Sequence, residues 1–427
     1  MLKREISKWD LVLLLINGTI GAGIFGLPAQ LYALAGVYSL PALFLCALIV
    51  FILVFNFAEV ASRFSKTGGP YLYILSAFGR IPAFTIGWLI LITRVSTYAA
   101  LVNLLVTYLG YFNPILTETS YRFVFITGIT LCLTWVNYLG IRNSTLLNNT
   151  LAIAKMLPLL IFIGAGLFYF QPEQVDWQQT PPPLPDFSTA VLVLIFAFTG
   201  FEAVLVTTGE MKNPRASIPF ALVVSMTCVA IFYGLIQLVT MAALPDLATS
   251  STPITDAAGI LLGSSGALLI TLGAIVSIGG TLNSVMLIGS RVPYALSEEG
   301  QFPHFFSKLH SKRQTPVLSL LAFVVITLIA SLTGTFIYAV AISVISKVMI
   351  FLLVCMAMIK LRMKDKGTNT NHFKLRGGYT FAILGILASL GLLISAKADE
   401  FWQVVITVVI GLILYALASA YQKFKRD

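Results

Sequence analysis

The chain has 427 residues, of which 58% are hydrophobic and 10% charged, and its net charge is +10. A soluble domain carries about 25% charged residues, so this composition leaves too little polar surface for a soluble protein. The basic residues sit in short clusters between apolar blocks, which points to loops beside a membrane and away from nucleic acid.

Twelve apolar blocks follow, at 10–35, 38–62, 81–110, 121–140, 146–170, 188–210, 217–244, 261–297, 316–333, 337–360, 379–396 and 401–421. Each is close to the ~20 residues that cross a hydrocarbon core of about 30 Å. The first block begins near Leu11 and has no small-residue cleavage site, so it is expected to be a span and not a signal peptide. The eighth is expected to run past Arg291 beyond the membrane. Lipid offers the backbone no hydrogen-bond partners, so each span is expected to be helical or shielded by protein. The alternating ten-residue pattern of a β-barrel is absent. The expected fold class is therefore all-α and integral to the membrane, with twelve transmembrane helices. Cys46, Cys132, Cys228 and Cys355 all lie within apolar blocks and are read as buried thiols.

Lysine and arginine bias sets the orientation. With the N-terminus in the cytoplasm, only Arg122 and Lys397 fall in outside loops, and only Arg94, Lys155 and Lys347 fall within spans. Every other basic residue, including Lys366, Lys425 and Arg426, then lies inside. Both termini are expected in the cytoplasm. The outside segments 171–187, with five prolines, and 245–260, rich in Ser, Thr and Asp, are read as loops. No Walker-type GxxxxGK[ST] motif is present, so any transport is expected to be driven by a gradient.

The first span contains Asn17-Gly18-Thr19-Ile20-Gly21-Ala22-Gly23-Ile24-Phe25-Gly26-Leu27-Pro28. Four glycines followed by a proline in mid-span predict a break in the helix. Five spans later, Phe198-Thr199-Gly200-Phe201-Glu202 is a second weak point. Interrupted segments in corresponding positions of two halves point to a transporter binding site. Unwinding exposes amides and carbonyls at bilayer depth. Amides near Gly21, Ala22 and Gly23 are expected to bind a carboxylate, and carbonyls near Ile16, Asn17, Phe198 and Thr199 an ammonium group. An α-amino acid carries both. The expected binding set is thus Ile16, Asn17, Thr19, Ile20, Gly21, Ala22, Gly23, Phe198, Thr199, Gly200, Phe201 and Glu202. Glycines four apart also serve close helix packing, which is the competing reading.

A charge within a span is costly and marks a candidate functional residue. Lys155 lies in the fifth span, where its competing role is to reach toward the cytoplasmic face. Glu202, Arg94 and Lys347 are candidates for ion pairs within the bundle or for a gate, with Arg94 and Glu202 as a candidate pair. His304, His310 and His372 are scattered in loops, and no HExxH or GxSxG motif is present. No enzyme activity, metal or cofactor is expected.

Four stretches resemble the amino acid–polyamine–organocation transporters. Gly18 to Phe25 is similar to the family's glycine signature. Ala58 to Phe64 followed by Lys66-Thr67-Gly68-Gly69-Pro70-Tyr71-Leu72-Tyr73 resembles its second-span exit, with Ser65 in place of a usual proline. Phe198 to Glu202 with Gly209-Glu210-Met211-Lys212-Asn213-Pro214-Arg215 resembles the sixth. Ser290-Arg291 through Tyr294-Ala295-Leu296 to Glu299-Gly300 and Pro303 resembles the end of the eighth. The resemblance covers most of the chain. It implies a LeuT-like inverted repeat of five plus five helices, over 1–170 and 188–360, with two further helices over 379–421. It implies substrate at the two breaks and alternating access. It also implies that Lys155 occupies a cation site beside a hydroxyl of the eighth span, Ser277 or Thr281, and that Phe201 caps the site from outside. The run around Arg94 resembles a family segment as well.

The expected function is amino acid transport by proton symport or exchange, with an amino acid as substrate, protons as possible co-substrate and the lipid bilayer as surroundings. A polyamine or amine antiporter and a non-transporting amino acid sensor are the alternatives. Short loops and tails suggest a bacterial inner membrane.

Overall fold

The computed structural model describes residues 2–110, 112–333, 336–365, 372–394 and 398–424. Lys366, Lys397, Lys425 and Arg426, which entered the orientation argument, lie outside the described residues, and of Ala22 only the backbone is described. Among the described residues there is no strand, only an isolated parallel bridge between Ile6 and Met211.

In chain order the helices are α1 (Lys8–Thr19), α2 (Leu27–Ala35), α3 (Ser39–Ala61), α4 (Pro70–Phe78), α5 (Arg80–Gly110), α6 (Thr119–Tyr138), α7 (Ile141–Phe168) and α8 (Leu184–Ala197). Then come α9 (Phe201–Val204), α10 (Pro214–Ala243), α11 (Pro253–Glu298), α12 (Val317–Leu332), α13 (Phe336–Lys364), α14 (Gly378–Ile394) and α15 (Ala398–Phe424). Each of the twelve apolar blocks is helical, the first and sixth with interruptions. Among the described residues six helical stretches are long and apolar enough to cross a membrane, and α8, α12, α14 and α15 supply shorter apolar helices.

The helix α7 shows why such a sequence assembles in lipid. Leu146, Ile153, Leu157 and Leu160 form an exposed apolar stripe. Asn148, Ala152, Lys155, Leu159 and Phe162 recur every three or four residues on the opposite, buried face. A soluble protein would turn its polar groups outward. Here the polar groups face the bundle, where partners exist, and the apolar stripe faces the hydrocarbon.

Between the second and third spans lies a further helix, α4, which begins at Pro70, whose fixed φ suits a first helical turn. Three expectations are corrected. The 245–260 segment contains a 3₁₀ turn, Leu247–Thr249, and the start of α11, which bends at Gly263, where φ is 69° and ψ is −164°. The loop over 171–187 likewise ends in the first turn of α8. Finally, Cys46 and Cys355 are buried, but Cys132 is exposed and Cys228 half-buried. Lipid-facing surface is as apolar as the core, so an apolar block does not tell the two apart.

The sequence stretches around Thr67–Pro70, Gly209–Glu210 and Arg291 meet at one end of the bundle. The amide of Gly68 donates to the carbonyl of Val206 at 2.9 Å. A Cβ at Gly69, where φ is +52°, would lie 2.8 Å from the amide nitrogen of Val206, so only glycine allows this approach. Arg291 clasps Glu210 with two hydrogen bonds, of 2.8 and 3.2 Å. Glu59 accepts two from Arg362, at 2.7 and 2.6 Å, and one from Arg63, which also pairs with Asp365. The chain's beginning joins this end: the amides of Glu5 and Ile6 donate to the carbonyl of Glu210, and the amide of Lys212 to that of Ile6.

The Arg291–Glu210 pair is fully buried. Removing one partner strands a charge, at a cost of about 3–5 kcal/mol, whereas removing both costs far less. Arg291→Met is therefore expected to lower the thermal midpoint in detergent sharply. The double variant with Glu210→Gln should recover most of the loss.

Candidate functional site

Helix α1 stops because its next residues cannot continue it. The amide of Ile20 still reaches the carbonyl of Ile16 at 2.8 Å, but Ile20 itself has ψ 89° and Gly21 is extended. A 3₁₀ turn, Ala22–Phe25, follows, and α2 starts after Gly26. The sixth block breaks as sharply. Phe198 closes the last turn of α8 through the carbonyl of Leu194 at 3.1 Å, and Gly200 then takes φ 127°.

The two breaks touch. A Cβ on Gly200 would sit 2.3 Å from the carbonyl oxygen of Gly18. Gly18 and Gly200 therefore serve close approach. Gly23 is different: it is exposed, and a Cβ there would meet nothing within 4 Å. Its turn presents open backbone. Packing and unwinding are thus divided between the glycines.

The carbonyls released by the first break have partners. Lys155, 0% exposed, donates from Nζ to the carbonyl of Asn17 at 3.1 Å and also to that of Ile20. Thr281 donates to the carbonyl of Asn17 at 3.3 Å. Ser277 lies 3.5 Å from those of both Ile20 and Gly21. The structure thus gathers Lys155, Ser277 and Thr281 around one break, and Lys155 does not reach toward an end of the bundle. Two expectations change with this. The Ile16 carbonyl is not released, because the helix still uses it. The Asn17 carbonyl is engaged by the protein, and so is not open for a ligand's ammonium group.

The second break is held by side chains. Glu202 accepts the amide of Gly200 on Oε2 at 2.8 Å. Its Oε1 stands 3.9 Å from a guanidinium nitrogen of Arg94. Lys347 donates to the hydroxyl of Thr199 at 2.8 Å. Phe201 is packed between Phe57 and Phe351, at centroid distances of 5.3 and 5.8 Å, and Phe198 against Tyr233 at 5.0 Å. Phe201 is buried among these rings, stacked on Phe351 and edge-on to Phe57, which separate helices carry.

A cavity of about 50 Å³ lies at the junction, bounded by Gly18, Gly200, Arg94, Thr97, Thr281 and Lys347. A smaller one of about 10 Å³, touching Thr93, Arg94, Glu202 and Lys347, has room for about one water.

The model of the amino acid permease family matches residues 6–421. The chain belongs to this family. The permease is 30% identical to the branched-chain amino acid permease BcaP of Bacillus subtilis, over 98% of this chain and 93% of that relative. It is 28% identical to the serine/threonine exchanger SteT of the same species, over 86% and 85% of the two chains. A putative arginine/ornithine antiporter from that species is 26% identical over 74% and 75%. Family membership makes this chain a multi-pass membrane protein of amino acid transport, and not an enzyme.

Two side chains at the breaks have partners that the sequence did not foretell, that of Tyr233 and that of Asn17, which was expected to act only through its backbone. Tyr233 of α10 places its hydroxyl 3.1 Å from the carbonyl of Ala197 and 3.3 Å from that of Thr19, so it spans both breaks. Asn17 donates to Asn148 at 2.5 Å, to the carbonyl of Gly280 at 2.9 Å and to Ser284 at 3.2 Å. A tyrosine or an asparagine in an apolar run is unusual enough to flag, but nothing local says which backbone it will meet.

Gly200→Ala forces a positive φ on a side chain that also collides with Gly18. It is expected to destabilise by at least about 1–3 kcal/mol. Gly23→Ala, with open space around it, should stay within about 0.5 kcal/mol of the parent. Thermal unfolding of the two purified variants compares them directly.

Proposed function

We propose that this permease moves an amino acid by alternating access, with the substrate bound where the two helix breaks adjoin. The observation that carries the reading is the cavity at the contact of Gly18 with Gly200. A ligand there meets the backbone of Gly18 and Gly200 and the polar side chains of Arg94, Thr97, Thr281 and Lys347. The amide of Gly21 donates to the carbonyl of Thr19 at 2.9 Å, so we assign the α-carboxylate to the amides of Ala22 and Gly23, and the α-ammonium group to the backbone of Phe198 and Thr199. We read the architecture as two inverted five-helix repeats, over 1–170 and 188–360, with α14 and α15 outside them. The breaks in the first and sixth blocks support this, being five spans apart. Positive-inside bias favours cytoplasmic termini, in a bacterial inner membrane.

Lys155 is the candidate coupling residue. As an ammonium it has three donors, and at least two are spent on the carbonyls of Asn17 and Ile20. Losing a proton weakens its hold on the first break from α7. The break could then shift with substrate, coupling transport to protons. A fixed cation at the same place would support exchange without a pH dependence. The cationic side chains of Arg94 and Lys347 at the cavity argue against a polyamine or amine cargo.

The test is uptake of labelled amino acids into proteoliposomes, with and without an imposed pH gradient. Net uptake driven by the gradient supports symport. Uptake only into vesicles preloaded with amino acid supports exchange, and binding without flux would make the chain a sensor. Lys155→Ala is expected to abolish gradient-driven uptake at unchanged expression. Unaltered uptake in that variant would remove Lys155 from the coupling.

A further inference from the structure

We propose that one water molecule is a built part of the second break, bridging Arg94 to Glu202, and that Thr93 is the positioning residue that holds it. The role given to Thr93 rests on the transport reading above, and the water itself does not. The starting point is a pair of opposite charges that fail to meet. Oε1 of Glu202 stands 3.9 Å from a guanidinium nitrogen of Arg94. That is too long for a hydrogen bond, and short enough for one water to touch both groups. Arg291 and Glu210, also buried, close to 2.8 and 3.2 Å. The gap has a local cause. Glu202 spends Oε2 on the amide of Gly200 at 2.8 Å, so it cannot turn both oxygens toward α5.

The cavity of about 10 Å³ lies at this gap. Three of the residues that line it each keep a buried atom without a hydrogen-bond partner among the described residues. These atoms are Oγ1 of Thr93, Nε of Arg94 and Oε1 of Glu202. The three residues are 2%, 6% and 2% exposed. Leaving such an atom unpaired costs free energy, and folded proteins pair nearly all of them, with protein or with ordered water. Ile90, Ala203 and Ile350 on the same wall have no polar side-chain atom to offer.

Volume and charge select the partner. About 10 Å³ has room for about one water and excludes an amino acid, which belongs to the larger cavity of about 50 Å³. A metal cation would be repelled by the guanidinium of Arg94, and an anion by the carboxylate of Glu202. Glu202 needs a donor, Arg94 needs an acceptor, and the Thr93 hydroxyl serves as either. Water is the small neutral molecule that gives and takes hydrogen bonds at once.

The consequence reaches the substrate. Thr93 holds the water, the water holds Oε1 of Glu202, and Oε2 holds the amide of Gly200. Gly200 borders the larger cavity, and Thr93 is not among the residues that line it. Thr93 therefore acts on a bound amino acid only through this chain of contacts.

Two measurements on the full chain test this. The first is an experimental structure resolved finely enough to show ordered water, which needs neither a variant nor flux. A density peak within hydrogen-bond distance of Glu202, Arg94 and Thr93 is expected. A dry pocket, a peak that misses Thr93, or a direct hydrogen bond between Arg94 and Glu202 overturns the proposal. The second is transport in proteoliposomes. Thr93→Val keeps the side-chain volume and removes the hydroxyl. It is expected to raise KM for the transported amino acid about five-fold, the scale of one hydrogen bond, with thermal unfolding showing that the variant is folded. Thr93→Ser keeps the hydroxyl and should return KM toward the parent value. An unchanged KM in folded Thr93→Val, or the same rise in both variants, removes Thr93 from its positioning role. Flux of no amino acid overturns the transport reading and with it the role of Thr93, while the density still decides the water.

Discussion

The carbonyl oxygen of Gly18 occupies the space that a Cβ on residue 200 would need, and the site is organised around that contact. Two helices of a membrane protein ordinarily approach through side chains, at interaxial distances of about 8–10 Å. Here backbone meets backbone at the point where both chains leave the helix. The contact is possible because Gly200 holds φ at 127° and neither residue has a side chain. Unwinding in lipid carries a penalty for every amide or carbonyl that loses its partner. The neighbours offset it with a different group on each side: Lys155 and Thr281 on Asn17, Ser277 near Ile20 and Gly21, Glu202 on Gly200, and Tyr233 between the two. Each of these groups would be a liability in an apolar helix. Each becomes useful because a broken backbone stands opposite.

The buried charges divide by depth and by geometry. At the end of the bundle where the chain begins, Arg291–Glu210 and Arg362–Glu59 are bidentate, and Arg63 ties Glu59 to Asp365. Arg291 and Arg362 each meet a carboxylate with two nitrogens, although the Nε of Arg63 is left without a partner. Beside the cavity the same residue types are arranged loosely, with Arg94 3.9 Å from Glu202. The difference follows from Gly200, whose amide draws one oxygen of Glu202 away.

Much of this was legible in the sequence, for a physical reason. Span length and glycine content are local properties, so the apolar blocks and the break at Gly18–Pro28 could be read directly. Lys155 stood out because a charge in a twenty-residue apolar run has to be explained. The identity of the carbonyls it meets was less accessible, and the expectation for Ile16 failed by a single residue. Helix ends are set by the competition between one more backbone bond and the conformation of the next residue, and Ile20 settled that competition in favour of Ile16. Phe201 was less legible for another reason: an aromatic beside a binding motif can cap a site or pack in the core, and Phe57 and Phe351, far away in sequence, determine where its ring packs. Tyr233 stood out only as a polar group in an apolar run, because a hydroxyl that bridges two distant breaks leaves no periodic trace.

The contacts also define which parts are mechanically joined. Helix α1 is fastened to residues 200–212 twice, at mid-depth through Gly18 and Gly200 and at the end through Ile6 and the backbone of residues 210–212. Two attachments so far apart resist both sliding and tilting of one relative to the other. The joined pair is in turn held to α11 by Glu210 and Arg291, and to the turn before α4 by Gly68 and Val206. Under the alternating-access reading proposed above, opening this end of the bundle parts the outer links while the inner two persist, because Gly18 of α1 and Gly200 at the start of α9 together border the cavity. Under that same reading, the buried ion pair at Arg291 is a strong but separable link, and the close glycine contact is one that stays joined.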